Sequence, residues 1–305
     1  MSNLIKLLYY QEEYNLGDML NLGICQKLFQ LNVRTLHLSK YNYFDIVMIG
    51  SLLQHLICSE PSLRHRIKYY VNKKIKNPIH VWGSGFLNNA LGYEILKRDL
   101  KIHALRGKKT RERLENIIGK KLDNVVLADP GILADKIVNK SFTKKYSIGI
   151  IPHYMELNYE IFSQMLQVFP NSVLINVQDP YEKNLEKIYQ CNVILSSALH
   201  GLIIADGMHI PNLRMIVSDR IDNYKFDDYY SAYNIDTYAS VDIRNKNIQD
   251  VLSLFLIENG RDGERCVNIS SSLIENYIMK NHCVSFEDVD RLKDRLIASF
   301  PFGHA

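Results

Sequence analysis

The chain has 305 residues, of which 47% are apolar, and carries a formal net charge of +4. This length and apolar content predict about two folded domains and exclude a globally disordered chain. The nearly balanced charge argues against a nucleic-acid partner, although basic residues cluster at 64–76 and 106–113. It leaves peripheral association with an anionic membrane surface open.

No run of about 18 apolar residues occurs, so the sequence predicts no membrane-spanning helix. The first residues are typical of a strand rather than of a signal-peptide core. Five cysteines without a CxxC pair predict reduced thiols. No histidine or cysteine pair has zinc spacing, so we expect no structural metal. We therefore expect a cytoplasmic protein, with association at the inner face of the cell membrane left open.

Short β-rich runs alternate with helical stretches along the chain. The predicted strands lie at 5–10, 45–49, 79–82, 102–105, 125–127, 147–151, 172–176, 193–195 and 212–216. The predicted helices lie at 18–31, 110–118, 159–169, 180–190, 199–208 and 248–259. This alternation is typical of βαβ units and parallel sheets.

A polar connector at 139–145 divides the alternating pattern into two series. We therefore predict two doubly wound, Rossmann-type α/β domains, at 1–140 and 141–284, with the ligand in a cleft between them. The last residues, 285–305, predict an amphipathic helix with Val289, Leu292, Leu296 and Phe300 on one stripe. Its opposite face carries charges of both signs, which favours packing on a domain surface over lying on a membrane.

The segment CNVILSSALHGLIIADGMHIPNLR (191–214) carries the strongest functional signal. An apolar strand leads through two serines into a helix whose first turn contains His200. A helix start presents free backbone N–H groups and partial positive charge, so we expect an anion between Ser197 and Gly201. The same positive charge lowers the pKa of an imidazole, and a neutral His200 could then transfer a proton.

Two glycines, Gly83 and Gly85, follow a predicted strand in VWGSGF (81–86). They could let the backbone approach a ligand in the cleft, or they could form only a turn. Asn88 stands where the third glycine of a dinucleotide-binding fingerprint belongs. We therefore expect no dinucleotide cofactor.

Two arginines flank another strand end in ALRGKKTR (104–111). Arg106 and Arg111 could bind a carboxylate and a phosphate through paired hydrogen bonds, or they could belong to a solvated basic loop. Asp129, in ADPG (128–131), could orient one of them or cap a turn.

Three further candidates lie elsewhere along the chain. His153 ends the first strand of the second series, where it could face the cleft or be structural. Lys225 belongs to KFDDYY (225–230), which alone predicts an amphipathic turn. Asp18 lies at the first helix start, where it could contact an acceptor or cap the helix.

Taken together, eight motifs in this order resemble the polysaccharide pyruvyl transferase family, especially its bacterial exopolysaccharide and capsule members. They are YNLGDML (14–20), IGSLL (49–53), VWGSGF (81–86), ALRGKKTRERL (104–114), DPGIL (129–133), IPHY (151–154), SSALHGLIIADGMHIPN (196–212) and KFDDYY (225–230). Each motif is weak alone, but their joint order is specific.

The resemblance implies a GT-B-like fold of two Rossmann-type domains. It implies phosphoenolpyruvate as co-substrate, no further cofactor, and a sugar of a surface polysaccharide or its lipid-linked precursor as acceptor. The product would be a pyruvate ketal, with phosphate released. For this reaction we expect Lys225 and the helix start to bind phosphate and Arg106 and Arg111 to bind carboxylate. We expect His200, or else His153, to transfer protons.

The chain departs from some relatives at Ala198, where they carry an arginine. Arg106, Arg111 or Lys225 must then supply that cation. Two alternatives remain: a GT-B glycosyltransferase that uses a nucleotide sugar, and a non-catalytic scaffold of a capsule assembly. A buried His200 far from any cleft would favour the scaffold.

Overall fold

A computed structural model describes residues 4–10, 13–36, 43–90, 92–138, 142–256 and 269–302. Its first sheet contains six parallel strands in the order β2-β1-β3-β5-β7-β8. These are β1 (Ile5–Leu8), β2 (Val33–Leu36), β3 (Ile46–Val47), β5 (Ile79–Trp82), β7 (Leu100–Leu105) and β8 (Val126–Leu127). Two short strands, β4 (Ile57–Ser59) and β6 (Glu94–Leu96), form a separate antiparallel pair.

The helices of this half are α1 (Leu16–Gly23), α2 (Leu63–Ile75) and α3 (Lys108–Ile118), with 3-10 turns at Leu52–Leu56 and Pro130–Lys136. The helix predicted at 18–31 starts earlier and changes at its end into a π-helical turn, Ile24–Leu28.

The second sheet contains five parallel strands in the order β10-β9-β11-β12-β13. They are β9 (Tyr146–Ile151), β10 (Ser172–Leu174), β11 (Cys191–Ser196), β12 (Asn212–Ile216) and β13 (Ser240–Asp242). The helices are α4 (Glu160–Val168), α5 (Tyr181–Tyr189), α6 (Leu199–Gly207), α7 (Tyr224–Ser231), α8 (Ile248–Leu256), α9 (Ser271–Asn281) and α10 (Phe286–Ala298). A 3-10 turn, Tyr154–Glu156, follows β9.

One apolar core joins the two sheets. It includes Leu7 and Trp82 from the first sheet and Ile151 and Ile194 from the second. Helix α6 packs so tightly on the turn Pro130–Lys136 that a Cβ at Gly207 would lie 2.2 Å from the Ile132 carbonyl oxygen. The boundaries at 140 and 284 therefore stay predictions, because the core runs across the first of them.

Helix α10 returns from the second half to the first sheet. The predicted stripe, from Val289 to Phe300, is buried. Trp82 Nε1 donates hydrogen bonds to the Leu296 carbonyl oxygen and to Ser299 Oγ, both at 3.1 Å. The Phe300 ring stacks on Phe29 with centroids 3.7 Å apart. The stripe therefore packs on the chain's own core and is not available to a membrane.

Several elements were not predicted from the sequence, namely α2, α9 and the short strands β2, β4, β6 and β13. These strands have three or four residues each, too few to show a clear alternation. The segment predicted as an amphipathic turn at 225–230 lies within helix α7. Residues 257–259 of the last predicted helix of the second series and 139–141 of the connector lie outside the described residues.

None of the helices in the described ranges is long and apolar enough to cross a bilayer. Cys25, Cys58, Cys191 and Cys283 are free thiols, and Cys266 lies outside the described residues.

Replacing Phe300 by alanine tests how strongly α10 is anchored. The change removes the ring that stacks on Phe29, so we expect the free energy of unfolding to fall by about 3 kcal/mol, measured by urea denaturation. Phe302→Ala, in the half-buried neighbour, is the control and should have a clearly smaller effect. Equal losses at the two positions would contradict the anchoring.

Candidate functional site

The carboxyl ends of strands from both sheets meet around a cavity of about 340 Å³. Residues that follow β1, β3 and β7 line one wall, and residues that follow β9 and β11 line another. Among the lining residues are Tyr10, Asp18, Ser51, Arg106, His153, Tyr154, Leu199, His200 and Lys225. Ligands of parallel α/β sheets bind at such strand ends, so this cavity is the candidate site.

Lys225, in the first turn of α7, places an ammonium group at the cavity wall. Within the described residues no carboxylate lies within ion-pair distance of it, and its Nζ lies 3.5 Å from His153 Nε2. Burial lowers the pKa of Lys225 to about 8, and the positive charges of Arg106 and Arg214 act in the same direction. A buried cation of this kind is stabilised when an anion enters the cavity.

Arg106 is fully buried and bonds to three acceptors. Its Nε donates to Asp228 Oδ2 at 2.9 Å, Nη1 donates to Ser51 Oγ at 3.1 Å and Nη2 donates to the Phe86 carbonyl oxygen at 2.6 Å. A guanidinium has five N–H groups, so two remain for a ligand. Because Asp228 neutralises this arginine, Lys225 supplies the uncompensated positive charge of the cavity.

His200 lies against a buried carboxylate. Its Nε2 is 3.8 Å from Asp129 Oδ2, and neither atom has a hydrogen-bond partner within the described residues. The other oxygen, Asp129 Oδ1, accepts from the Gly131 N–H at 2.9 Å. Burial lowers the pKa of His200 to about 3, with Lys225 acting in the same direction, and burial raises the pKa of Asp129 to about 6. The ring is therefore neutral and can accept a proton, and the nearby carboxylate would stabilise the imidazolium that forms.

Gly17 of α1 packs directly on the His200 ring. A Cβ at Gly17 would lie 2.0 Å from His200 Nδ1. The motif YNLGDML therefore has glycine at this position because the imidazole occupies the space of a side chain. The cap of α1 is Asn15, whose side chain accepts from the Gly17 N–H at 3.3 Å.

Asp18 is therefore not the helix cap. Its carboxyl lines the cavity, and burial raises its pKa to about 7, with Lys225 opposing that shift. At neutral pH this carboxyl is partly protonated and can donate a proton.

His153 is held by two hydrogen bonds. Its backbone N–H donates to Ser197 Oγ at 2.9 Å, and its Nδ1 accepts from the Met155 N–H at 3.3 Å. Burial lowers the pKa of His153 to about 3, and Lys225 acts in the same direction. Since Nδ1 accepts, we assign the proton of the neutral ring to Nε2, which faces Lys225.

The start of α6 differs from the sequence prediction. The Ser197 N–H donates to the Ile151 carbonyl oxygen at 3.0 Å, and the Gly201 N–H donates to the Ala198 carbonyl oxygen at 3.0 Å. Neither amide is therefore free for a phosphate. The structure gives no acceptor for the amides of Leu199 and His200 among the described residues, so these two are the available donors.

The structure does not bring Arg111 to this cavity. Arg111 lies in α3, whereas Arg106 precedes that helix, and it lines a separate cavity together with Asp123 and Arg291. Its Nε is 4.0 Å from Glu115 Oε1. Arg106 and Arg111 therefore cannot bind one small ligand together.

Gly83 and Gly85 do not line the cavity either. A Cβ at Gly83, which has a φ of +86°, would lie 2.1 Å from Pro130 Cδ. A Cβ at Gly85 would lie 2.4 Å from Arg106 Cζ. These glycines make room for neighbouring side chains and lie outside the lining of this cavity.

Sequence reasoning missed Asp129 as the partner of His200 and Ser51 as a hydrogen-bond acceptor for Arg106. Their position in the sequence could have indicated them, since both residues follow strands of the first sheet. Which side chains they would meet depends on how the two sheets face each other.

The family model for polysaccharide pyruvyl transferase matches residues 15–220. The chain belongs to the polysaccharide pyruvyl transferase family. The matched region of this transferase includes Asp18, Arg106, Asp129, His153 and His200, and it ends before Lys225.

Two further similarities were found. Uncharacterized protein L143 of Acanthamoeba polyphaga mimivirus is 27% identical over 237 residues, which cover 75% of this chain and 74% of that protein. The crystal structure of an alpha1,3-fucosyltransferase aligns with 100% of this chain and 93% of its own, with 10% identity and a TM-score of 0.32. A structural likeness this weak carries no argument.

Gly17→Ala tests the contact between α1 and His200. We expect the added methyl group to displace the imidazole and to reduce transferase turnover by about 10²-fold, because small misplacements of catalytic groups are costly. Gly23→Ala, in the same helix, is the control. Its Cβ would meet Ile137 Cδ1 and the Tyr181 ring, each at 2.9 Å, but no atom of the imidazole is among these neighbours, so turnover should stay near that of the unsubstituted protein. Equal turnover of the two variants would contradict the contact.

Proposed function

We propose that this transferase moves pyruvate from phosphoenolpyruvate onto two hydroxyls of one sugar, forming a cyclic ketal and releasing phosphate. The acceptor is a sugar of a surface polysaccharide or its lipid-linked precursor. The observation that carries the proposal is the half-buried Lys225, which has no carboxylate partner in the described chain and faces a cavity with free amide donors.

The donors around the cavity fit the two charged ends of phosphoenolpyruvate. Lys225 and the His153 Nε2–H lie 3.5 Å apart and are both donors, so a phosphate oxygen between them would accept from both. The amides of Leu199 and His200 supply two further donors at a helix start. The two remaining N–H groups of Arg106 suit the carboxylate of the same molecule.

The reaction proceeds by two additions at the central carbon of phosphoenolpyruvate. A proton adds to the methylene carbon, and a sugar hydroxyl bonds to the central carbon and loses its own proton. The second hydroxyl then bonds to the same carbon and loses its proton, while the carbon–oxygen bond to phosphate breaks. One released proton balances the new methyl group and the other leaves with phosphate. No electron is gained or lost, so the reaction needs no redox cofactor.

Three groups of the cavity can move these protons. Asp18 is the candidate acid for the methylene carbon, because its raised pKa keeps it partly protonated at neutral pH. His200 is the candidate base for a hydroxyl, and Asp129 would stabilise the imidazolium that forms. His153, beside Lys225, is the second candidate. A bound phosphate would raise the pKa of His153, and the ring, once protonated, would protonate the departing phosphate.

The proposed reaction is tested by incubating the protein with phosphoenolpyruvate and candidate lipid-linked oligosaccharides. Mass spectrometry should show the addition of one pyruvate unit less water, together with release of inorganic phosphate. Incubation with nucleotide sugars in parallel tests the glycosyltransferase alternative. Glycosyl transfer in that arm, with no pyruvyl product in the first, would overturn the proposal.

His200→Asn removes the proposed base and keeps a polar side chain. Positioned proton transfer typically contributes about 10²–10⁴-fold, so we expect turnover to fall by that factor while the thermal unfolding temperature stays close to that of the unsubstituted protein. His209→Asn is a matched control, since His209 is exposed and has a φ of +56°, which asparagine tolerates. A His200→Asn variant with nearly full turnover would exclude the proposed role.

Lys225→Met tests the anion site with two opposite effects. Phosphoenolpyruvate binding should be lost, but the protein should become more stable at pH 7, by about 3 kcal/mol. The sign follows from the lowered pKa of Lys225. The unfolded chain binds the Lys225 proton more tightly than the folded protein does. Lys225 therefore destabilises the folded protein fully below pH 8, and this effect disappears above about pH 10.5.

The stability gain of Lys225→Met should therefore shrink between pH 7 and pH 10, as measured by urea denaturation. Lys109→Met, which removes a half-exposed lysine paired with Asp227 at 2.8 Å, is the control and should keep donor binding. A Lys225→Met variant that binds the donor normally, or that is less stable at pH 7, would refute the assignment.

A further inference from the structure

Helix α2 touches the rest of the protein along a narrow face. Of its residues, only Asn72 is buried and Tyr69 half-buried, while the others are exposed. Asn72 Nδ2 donates to the Lys97 carbonyl oxygen at 3.2 Å. Tyr69 and Asn72 thus mark the inner face of the helix.

The apolar side chains of α2 point away from that inner face. The exposed set is Leu63 (73%), Ile67 (56%), Tyr70 (65%), Val71 (49%) and Ile75 (69%). With a turn of about 100° per residue, these five form one stripe centred roughly 170° from Tyr69 and Asn72. A surface helix normally turns its stripe toward the core. Within the part of the chain that the structure describes, the stripe of α2 therefore stays exposed.

Cations flank the stripe on both sides. Lys68 lies on one side, Arg66 and Lys73 lie on the other, and Arg64 and Lys74 lie within the stripe by the same rotation of about 100° per residue. Residues 61–80 contain no aspartate or glutamate. The helix is therefore complementary in charge to an extended anionic surface.

Exposed tyrosines surround the helix. Arg66 lies over the ring of Tyr93 at 5.2 Å, and Lys76 lies over the ring of Tyr43 at 5.4 Å. Both rings are more than half exposed. Tyrosine is enriched where proteins meet the headgroup region of a bilayer, because its ring is apolar and its hydroxyl is polar.

We propose that α2 binds the surface of an anionic membrane, with the stripe among the headgroups and upper acyl chains and the cations on lipid phosphates. A nucleic acid would satisfy the cations but would leave Leu63, Ile67 and Ile75 in water. A bilayer satisfies both sets of side chains. This inference uses none of the cavity residues and holds whether or not the proposed reaction is correct.

Vesicle co-sedimentation tests the proposal. The full chain should bind vesicles of phosphatidylcholine and phosphatidylglycerol in equal parts, and should bind pure phosphatidylcholine vesicles much more weakly. Arg64→Gln combined with Lys74→Gln should lower binding to the mixed vesicles by about tenfold to thirtyfold. Lys145→Gln combined with Lys183→Gln removes the same charge from exposed positions outside α2 and should have little effect.

The apolar contribution is tested separately by Ile67→Gln, which should weaken binding to the mixed vesicles even though no charge changes. Leu166→Gln, at an exposed position of α4, is its control. Circular dichroism should show unchanged folding for all these variants.

Three results would overturn the proposal. They are no preference for the mixed vesicles, equal binding of the two double variants, and binding to a single-stranded RNA in preference to the vesicles. A failure here leaves the reaction at the cavity untouched, because that reaction is measured by pyruvyl transfer and phosphate release and not by binding to vesicles.

Discussion

The buried ion pair between Arg106 and Asp228 determines the electrostatics of the candidate site. It joins the end of β7 to α7 across 122 residues of sequence, and Thr110 adds two donors to the same carboxylate. Because a broken buried pair leaves an uncompensated charge, the pair holds α7 firmly against the first sheet. Its consequence is that Arg106 is neutralised while Lys225, three residues before Asp228, keeps its charge toward the cavity.

Close backbone approaches hold the same parts together. A Cβ at Gly107 would lie 1.7 Å from the Asp228 carbonyl oxygen, one at Gly85 would lie 2.4 Å from Arg106 Cζ, and one at Gly17 would lie 2.0 Å from His200 Nδ1. All three glycines belong to the sequence motifs that identify the family. Because glycine has no side chain, these positions leave room for an arginine and an imidazole where the two sheets meet. Helix α2 and Ser51 belong to the same crossover between β3 and β5, so a membrane-bound α2 would be linked directly to the cavity wall.

The sequence was sufficient to predict the parallel α/β class and the positions of most strands, because short β-rich runs alternate with helical patterns. It also placed His153, His200 and Asp18 at strand or helix ends, and these three residues line the cavity together with Lys225, which was expected in a turn. It was wrong about Arg111, since a helix turns side chains that are close in sequence toward different surfaces. It could not pair Asp129 with His200 or Arg106 with Asp228, because these contacts depend on the packing of one sheet against the other.

The central claim is that the charge of Lys225 pairs with the donor. Calorimetric titration of phosphoenolpyruvate at pH 8, in buffers of different ionisation enthalpy, measures the protons taken up on binding. Lys225 has a pKa of about 8 in the ligand-free protein, and an anion beside it raises that pKa. The account predicts uptake of about half a proton per bound donor. Binding without proton uptake, or with proton release, would contradict it.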